Sequence, residues 1–255
     1  MPYSNAPITV ALSELAYLSY DQINLTLLNL RKDLRLSDHA TDTEGFIASN
    51  DTDIYIVIRG TKQLKDWLTN LQTQLTYLIK NTIKLGLHTG FLGGANGIVS
   101  NVAGFLSLEL NKPIEKRRRV HLCGHSLGAI IATILSVMLY ADGIFSHLIE
   151  DVYCYGSPRG GDKGFLKLWQ DMIYPIYRYE HDMDIVPRMP PKGVYVHLGE
   201  CIKLYDTNED KSWLQKIMRK FNYGIRVLMG DLSGESIKDH DIKTYHDLIN
   251  RCIKN

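Results

Sequence analysis

The chain has 255 residues, 45% of them hydrophobic, which is enough for one large α/β domain with a full core. Lysine and arginine total 29 against 28 aspartates and glutamates, and this formal net charge of +1 argues against a nucleic-acid partner. The four cysteines are widely spaced without a C-x-x-C pair, a pattern typical of neither a zinc site nor a dense disulfide framework.

The N-terminal region, MPYSNAPITVALSEL, lacks the basic segment and long apolar stretch of a secretory signal. We find no uncharged apolar run long enough for a membrane-spanning helix, so we expect none. A cytoplasmic location is therefore expected, with secretion without a visible signal peptide as the alternative. The sequence leaves the oligomeric state open.

Hydrophobic periodicity predicts helices that alternate with short strands along the chain. In chain order, the predicted elements are a helix over 8–20, a strand buried on both faces at 54–58, a helix and loop over 64–80, a glycine-rich segment over 86–97, a helix over 98–110, a strand at 120–123, a helix over 127–140, strands at 152–155 and 176–179, a hairpin-like pair at 194–198 and 201–204, and helices over 211–229 and 242–253. This order predicts a single α/β domain over residues 1–255, with a mostly parallel central sheet and helices on both faces.

A serine stands between a strand and a helix in the segment Gly124-His125-Ser126-Leu127-Gly128. The predicted strand 120–123 leads into it and the predicted helix 127–140 leads out, which is the context of a nucleophile elbow. Side chains two residues to either side of the serine would collide with the strand or the helix, so glycine fills both places. Ser126 is the predicted nucleophile, at a helix N-terminus that favours a developing oxyanion. The His125 side chain is expected to support the packing.

A nucleophilic serine needs a general base, and the base needs an orienting carboxylate. In an α/β-hydrolase the carboxylate and then the histidine follow the serine along the chain. Asp184 is preferred because it follows the strand 176–179, at the sheet end where the sites of open α/β folds assemble. Pro187 stiffens the loop around it. Asp182 is the rival candidate, and Glu180 is a more distant one.

Three histidines follow Asp184 and are candidates for the general base: His197, His240 and His246. His240 is preferred because it lies at the start of the closing helix, in a loop that can reach back over the sheet. His246 is the alternative, although it falls inside that helix. His197 lies in an apolar alternation and is expected to be a strand residue. The predicted triad is therefore Ser126, Asp184 and His240.

Several short motifs occur in a fixed order between about residues 50 and 250. They are VIRGT at 57–61, DW at 66–67, HTGF at 88–91, GHSLGA at 124–129, YGSPRGGD at 155–162, DIVPR at 184–188, and His240 followed by Tyr245. In these motifs the chain resembles the class 3 (fungal-type) lipases, a family with the α/β-hydrolase fold. The resemblance implies the same triad, oxyanion-hole donors at Thr61 and at the backbone N–H of Leu127, and a lid over 62–72.

The resemblance also implies an activity, the hydrolysis of acyl esters of lipids such as acylglycerols through an acyl-enzyme intermediate. Such a reaction requires neither a metal nor an organic cofactor, and the expected partner is the lipid substrate. A phospholipase A1 and a non-catalytic scaffold with the same fold are the alternatives.

Residues 205–239 match none of the motifs and are predicted to be an inserted amphipathic helical segment. Trp213, Ile217 and Phe221 lie at helical spacing, and lysines and arginines flank them. The apolar face is expected to pack on the sheet or the acyl pocket, and contact with an anionic membrane surface is the alternative.

Overall fold

The computed structural model describes residues 4–69, 73–181, 184–205 and 239–254. The strands within these ranges are β1 (Arg31–Asp38), β2 (Thr43–Ser49), β3 (Asp53–Ile58), β4 (Leu75–Lys80), β5 (Ile83–His88), β6 (Arg119–His125), β7 (Ile149–Tyr155), β8 (Ile176–His181) and β9 (Glu200–Leu204). The α-helices are α1 (Ala6–Leu15), α2 (Leu64–Thr69), α3 (Thr89–Leu110), α4 (Leu127–Ala141), α5 (Lys163–Gln170) and α6 (Ile242–Lys254).

Seven strands form a central sheet in the order β1-β2-β3-β6-β7-β8-β9. The five strands from β3 to β9 in this order pair in parallel, whereas β1 and β2 add antiparallel pairs at one edge. Parallel neighbours need crossover connections, and α3, α4 and α5 lie in those connections. The predicted mostly parallel sheet is confirmed.

Alternate residues of β3 point to opposite faces of the sheet, and each face carries its own core. Ile54, Ile56 and Ile58 pack in a cluster with buried residues of α3, α4 and α5. Tyr55 and Val57 pack in a second cluster with buried residues of α1 and α6. Helices therefore cover both faces of the sheet, as predicted.

Helix α3 begins at Thr89, inside the segment that the sequence predicted to be only a glycine-rich lead-in. A Cβ on Gly94 would lie 2.7 Å from the Ile131 side chain of α4, so glycine lets the two helices approach closely. With a hydropathy of 1.3, α3 is long and apolar enough to cross a membrane, contrary to the sequence expectation. Its Phe91, Ile98 and Val102 are buried in the first core cluster, so α3 packs as a core helix of the domain.

The prediction of helix and loop over 64–80 is wrong in its second half. Strands β4 and β5 form an antiparallel hairpin outside the central sheet. The connecting residues Asn81 and Thr82 have φ values of 48° and 66°, the left-handed backbone that a two-residue hairpin turn needs. Threonine, tyrosine and isoleucine in β4 favour a strand. This preference prevails over the helical spacing of the apolar residues.

Three further sequence predictions differ from the structure. The first helix ends at Leu15 instead of residue 20. The hairpin-like pair is wrong, because β9 pairs in parallel with β8 while Tyr195 and Val196 form only isolated bridges. Strands β1 and β2 were not predicted. The predicted helix over 211–229 lies outside the described residues.

Candidate active site

Ser126 lies on the sharp turn between β6 and α4, with φ 59° and ψ −128°. A Cβ on Gly124 would lie 2.6 Å from the backbone of Gly128, and one on Gly128 would lie 2.2 Å from the carbonyl oxygen of Ile58. Both glycines are therefore required for the close approach of strand and helix. The Ser126 N–H donates to the carbonyl of Tyr155 at 2.8 Å, which ties the turn to the neighbouring strand.

Asp184 follows β8 and is almost completely buried, at 1% exposure. Its Oδ2 accepts a 2.7 Å hydrogen bond from His240 Nδ1 and a 2.6 Å bond from the Tyr245 hydroxyl. Its Oδ1 accepts from the backbone N–H of Val186 at 2.8 Å. Since Nδ1 lies against the carboxylate, Nε2 is the ring nitrogen of His240 that is left to act toward the serine.

Ser126 and His240 line the same cavity, which has a volume of about 530 Å³. Within the described part of the chain, neither Ser126 Oγ nor His240 Nε2 has a hydrogen-bond partner, although both atoms are buried. The other lining residues include Leu15, Tyr17, Leu18, Thr61, Leu64, His125 and Ile242. A hydroxyl and a free imidazole nitrogen thus face a largely apolar space.

Gly156 permits the approach of the histidine to the carboxylate. Its φ is 59°, and a Cβ there would lie 2.8 Å from both Asp184 Oδ2 and His240 Cε1. The loop after β7 therefore passes close to the Asp184–His240 pair only because this residue has no side chain.

His125 stacks beside His240 with ring centroids 4.4 Å apart. Its Nε2 donates to the backbone carbonyl of His240 at 2.7 Å, and its Nδ1 accepts from the Tyr17 hydroxyl at 2.7 Å. Burial and the neighbouring His240 lower the pKa of His125 well below 6.5, so this imidazole is neutral. The ring thus positions the His240 backbone. Sequence reasoning missed Tyr17, which lies on a distant segment that only the fold brings to the cavity.

The region expected to hold an oxyanion lies beside the nucleophile. Thr61 borders the cavity, and its Oγ1 accepts from the backbone N–H of Gln63 at 3.1 Å. Leu127 is the first residue of α4, where a backbone N–H has no acceptor within the helix. A Cβ on Gly60 would lie 3.0 Å from Ser126 Cβ, so the strand end before Thr61 runs directly alongside the serine.

The sequence model of the family Lipase (class 3) matches residues 55–194, which is more than half of the chain. The chain belongs to the class 3 lipase family. The family resemblance inferred from the motifs is thereby confirmed.

Individual class 3 lipases support the same assignment. A lipase of Rhizomucor miehei is 33% identical over 177 residues, 66% of this chain and 47% of the relative. Secreted mono- and diacylglycerol lipase 1 of Fusarium solani is 30% identical over 155 residues, 59% of this chain and 44% of the relative. The chain therefore spans about half the length of the curated relatives it matches.

The solved structure of the triacylglyceride lipase of Rhizomucor miehei superposes on the chain with a TM-score of 0.66 at 26% identity, over 80% of each chain. The predicted α/β-hydrolase fold is confirmed by this likeness.

The other candidates for the acid and the base make different contacts. Glu180 pairs with Arg178 and accepts a 2.5 Å bond from Lys203. His246 Nδ1 lies 2.5 Å from Glu14 on α1. His197 was expected in a strand, which is wrong, because it lies in a loop where its Nε2 donates to the Pro187 carbonyl at 2.7 Å. Asp182 lies outside the described residues.

The predicted lid over 62–72 contains helix α2, and residues 70–72 lie outside the described part. Leu64 borders the cavity, and Trp67 stacks on Phe91 of α3 with centroids 6.1 Å apart. The described start of the predicted lid segment thus lies at the cavity wall. Among the described residues, no cluster of three or more histidine, cysteine, aspartate or glutamate side chains is arranged to hold a metal ion.

Proposed function

We propose that the chain hydrolyses acyl esters of lipids, acylglycerols above all, with Ser126 as nucleophile, His240 as general base and Asp184 as the orienting carboxylate. One arrangement carries the proposal: Ser126 and the free nitrogen of His240 share an apolar cavity, while Asp184 holds the opposite ring nitrogen at 2.7 Å. A scaffold without catalysis has no need of a buried hydroxyl and a buried imidazole nitrogen that both lack a hydrogen-bond partner among the described residues.

In this mechanism His240 Nε2 removes the Ser126 proton as the Oγ attacks the ester carbonyl, and Asp184 stabilises the resulting imidazolium. The Leu127 N–H and Thr61 donate to the tetrahedral oxyanion, and each donor is typically worth about 100- to 1,000-fold in rate. The imidazolium protonates the departing alcohol, and an acyl-enzyme remains. Water activated by His240 then attacks the acyl-enzyme, and the acid leaves. No step draws on a metal or a cofactor.

The substrate class follows from the cavity wall and from the relatives. Leucine and isoleucine side chains of α1, α2 and α6 line the space beside Ser126, which suits an acyl chain. Two of the matched proteins are named as lipases of acylglycerols, which supports these esters as substrates. Other matched proteins are named as phospholipases A1, so that activity is kept as the alternative. The Fusarium relative is named as secreted, which supports the secreted alternative, and the expected cytoplasmic location gains no support from it.

The decisive experiment measures ester hydrolysis and fluorophosphonate labelling in purified wild-type, Ser126→Ala and Ser100→Ala proteins. Ser100 is exposed on α3 and serves as the matched control. We expect Ser126→Ala to lose labelling and nearly all activity, and Ser100→Ala to keep both. Labelling that persists in Ser126→Ala would overturn the assignment. Parallel assays on diacylglycerol and phosphatidylcholine decide between lipase and phospholipase A1.

We also infer that residues 1–255 form one domain, because the described parts from α1 to α6 pack on the two faces of one sheet.

Membrane-surface contact through the segment 205–239 stays a sequence prediction. If this contact exists, replacing Lys216, Arg219 and Lys220 with glutamine will weaken binding to anionic liposomes. Unchanged liposome binding would dismiss the contact and leave the alternative of packing on the sheet.

A further inference from the structure

A second cavity of about 600 Å³ opens at the carboxyl end of β8. Charged side chains dominate its wall, namely Arg159, Arg178, Glu180, Arg188, Lys192 and Lys203. Asp184 borders this cavity as well, whereas Ser126 and His240 border the apolar one. The carboxylate of Asp184 therefore lies between an apolar cavity and a cavity lined by charged side chains.

Cations outnumber carboxylates in this second cavity by five to two, and both carboxylates have partners. Glu180 is shared between Arg178 and Lys203. Asp184 accepts hydrogen bonds from His240 and Tyr245. Counted over the described residues alone, the wall thus carries an excess of about three positive charges.

Arg159 shows the imbalance most clearly, because its guanidinium is buried without an ion pair to any described carboxylate. It donates instead to the backbone carbonyls of Arg188 and Pro190. Burial lowers the pKa of Arg159, and the nearby cations of Arg178 and Arg188 add to this effect, against the opposing Glu180 carboxylate. Since like charges at close quarters repel, this wall favours an anion in the cavity.

One of the two histidines in the same wall, His197, is affected by the same cations. Burial and the Arg178 cation lower the pKa of His197 to about 3, so its ring is neutral at physiological pH. Its Nε2 proton is committed to the Pro187 carbonyl. His197 therefore neither adds to nor cancels the positive charge.

We propose that this cavity binds a phosphate-type oxyanion, contacted at its rim by Arg188 and Lys192. Both side chains are exposed and border the cavity. Guanidinium and ammonium groups are the side chains that best donate to phosphate oxygens. The anion is either free phosphate or the headgroup of a phospholipid, since both present the same oxygens. This proposal does not depend on ester hydrolysis.

The test titrates inorganic phosphate into the full chain by calorimetry at constant ionic strength. The double variant Arg188→Gln/Lys192→Gln should bind phosphate about tenfold or more weakly than wild type. The matched control Lys116→Gln/Arg251→Gln removes the same two residue types from exposed positions elsewhere and should bind like wild type. Ser126→Ala should also bind like wild type, which separates this site from the triad. Melting temperatures of all variants show that each is folded.

The lipid source is tested with Ser126→Ala protein on phosphatidylcholine vesicles with and without phosphatidic acid. If free phosphate displaces the protein from vesicles with phosphatidic acid, and Arg188→Gln/Lys192→Gln abolishes this competition, the result supports a headgroup site. Calorimetric binding without vesicle competition supports a site for a soluble anion. If phosphate fails to bind at millimolar concentration, or if the control pair weakens binding equally, the proposal is overturned.

Discussion

Tyr245 donates a 2.6 Å hydrogen bond to the buried Oδ2 of Asp184. Burial and the adjacent carboxylate raise the pKa of Tyr245 well above 10, so the phenol keeps the proton that it donates. The His181 N–H donates to the phenol oxygen at 3.1 Å and fixes its position. Tyr245 thus holds the same carboxylate oxygen that accepts from His240.

Replacing Tyr245 with phenylalanine removes this donor and keeps the ring. A hydrogen bond to a charged group is worth about 1.5–3 kcal/mol, so we expect kcat to fall about tenfold to a hundredfold with little change in KM. Steady-state kinetics on a soluble chromogenic ester measures the effects on kcat and on KM separately. Tyr77→Phe, on the exposed face of β4, is the control and should behave like wild type. Unchanged kinetics in Tyr245→Phe would show that the carboxylate needs no such support.

The choice of base is tested with two histidines close together in the chain. His240→Ala should lower kcat by about 10⁴- to 10⁶-fold, because the serine loses its proton acceptor. His246→Ala removes only the contact to Glu14 across α1 and α6, so we expect kcat within about threefold of wild type and a slightly lower melting temperature. The reverse result would assign the base to His246.

A glycine pair separates crowding at the site from backbone strain. Gly156 and Gly143 both have positive φ, 59° and 76°. A Cβ on Gly156 would lie 2.8 Å from Asp184 and His240 atoms, whereas one on Gly143 has no atom within 4 Å. Alanine in the left-handed region costs about 1–2 kcal/mol, so both variants should lose at least this much stability, and Gly156→Ala should lose more because of the crowding. Only Gly156→Ala should lose most of its activity, and equal activity in the two variants would contradict the proposed geometry.

The candidate site was largely predictable because its parts carry strong local signals. Ser126 requires glycine two residues to either side, and the chain order of the fold directs the search for acid and base downstream. Asp184 and His240 were chosen by position, and the structure brings them within 2.7 Å. Tyr17 could not be predicted, since no local pattern connects it to His125, more than a hundred residues away in the chain.

Errors in the fold arose where local pattern and tertiary context disagree. Strand β1 carries Arg31, Lys32, Asp33 and Arg35, so its apolar content is too low to predict an edge strand. Strand β4 has apolar residues that also fit a helix, and only the Asn81-Thr82 turn points to a hairpin. These elements lie at the sheet edge or outside the sheet, where burial constrains the sequence least.

A buried ionic network at the opposite end of the parallel strands provides a test of stability. His121 lies between Asp151, 2.6 Å from Nδ1, and Asp53, 3.1 Å from Nε2. Arg119 pairs with Asp53 from the surface, and Asn5 contacts His121 Nδ1 at 3.3 Å. Burial opposes the imidazolium, but hydrogen bonds to both carboxylates prevail and raise the pKa of His121 from 6.5 to about 9.

Since the folded pKa exceeds the unfolded one, the network stabilises the fold fully below pH 6.5, and this contribution is lost as the pH rises through about 9. The difference corresponds to at most about 3 kcal/mol. Urea unfolding should show wild-type stability falling across this window, whereas His121→Gln should be less stable at neutral pH and lack the dependence. His39→Gln, at an exposed site, should retain it. A flat wild-type profile would mean that the ring is neutral, which would contradict the ionic network.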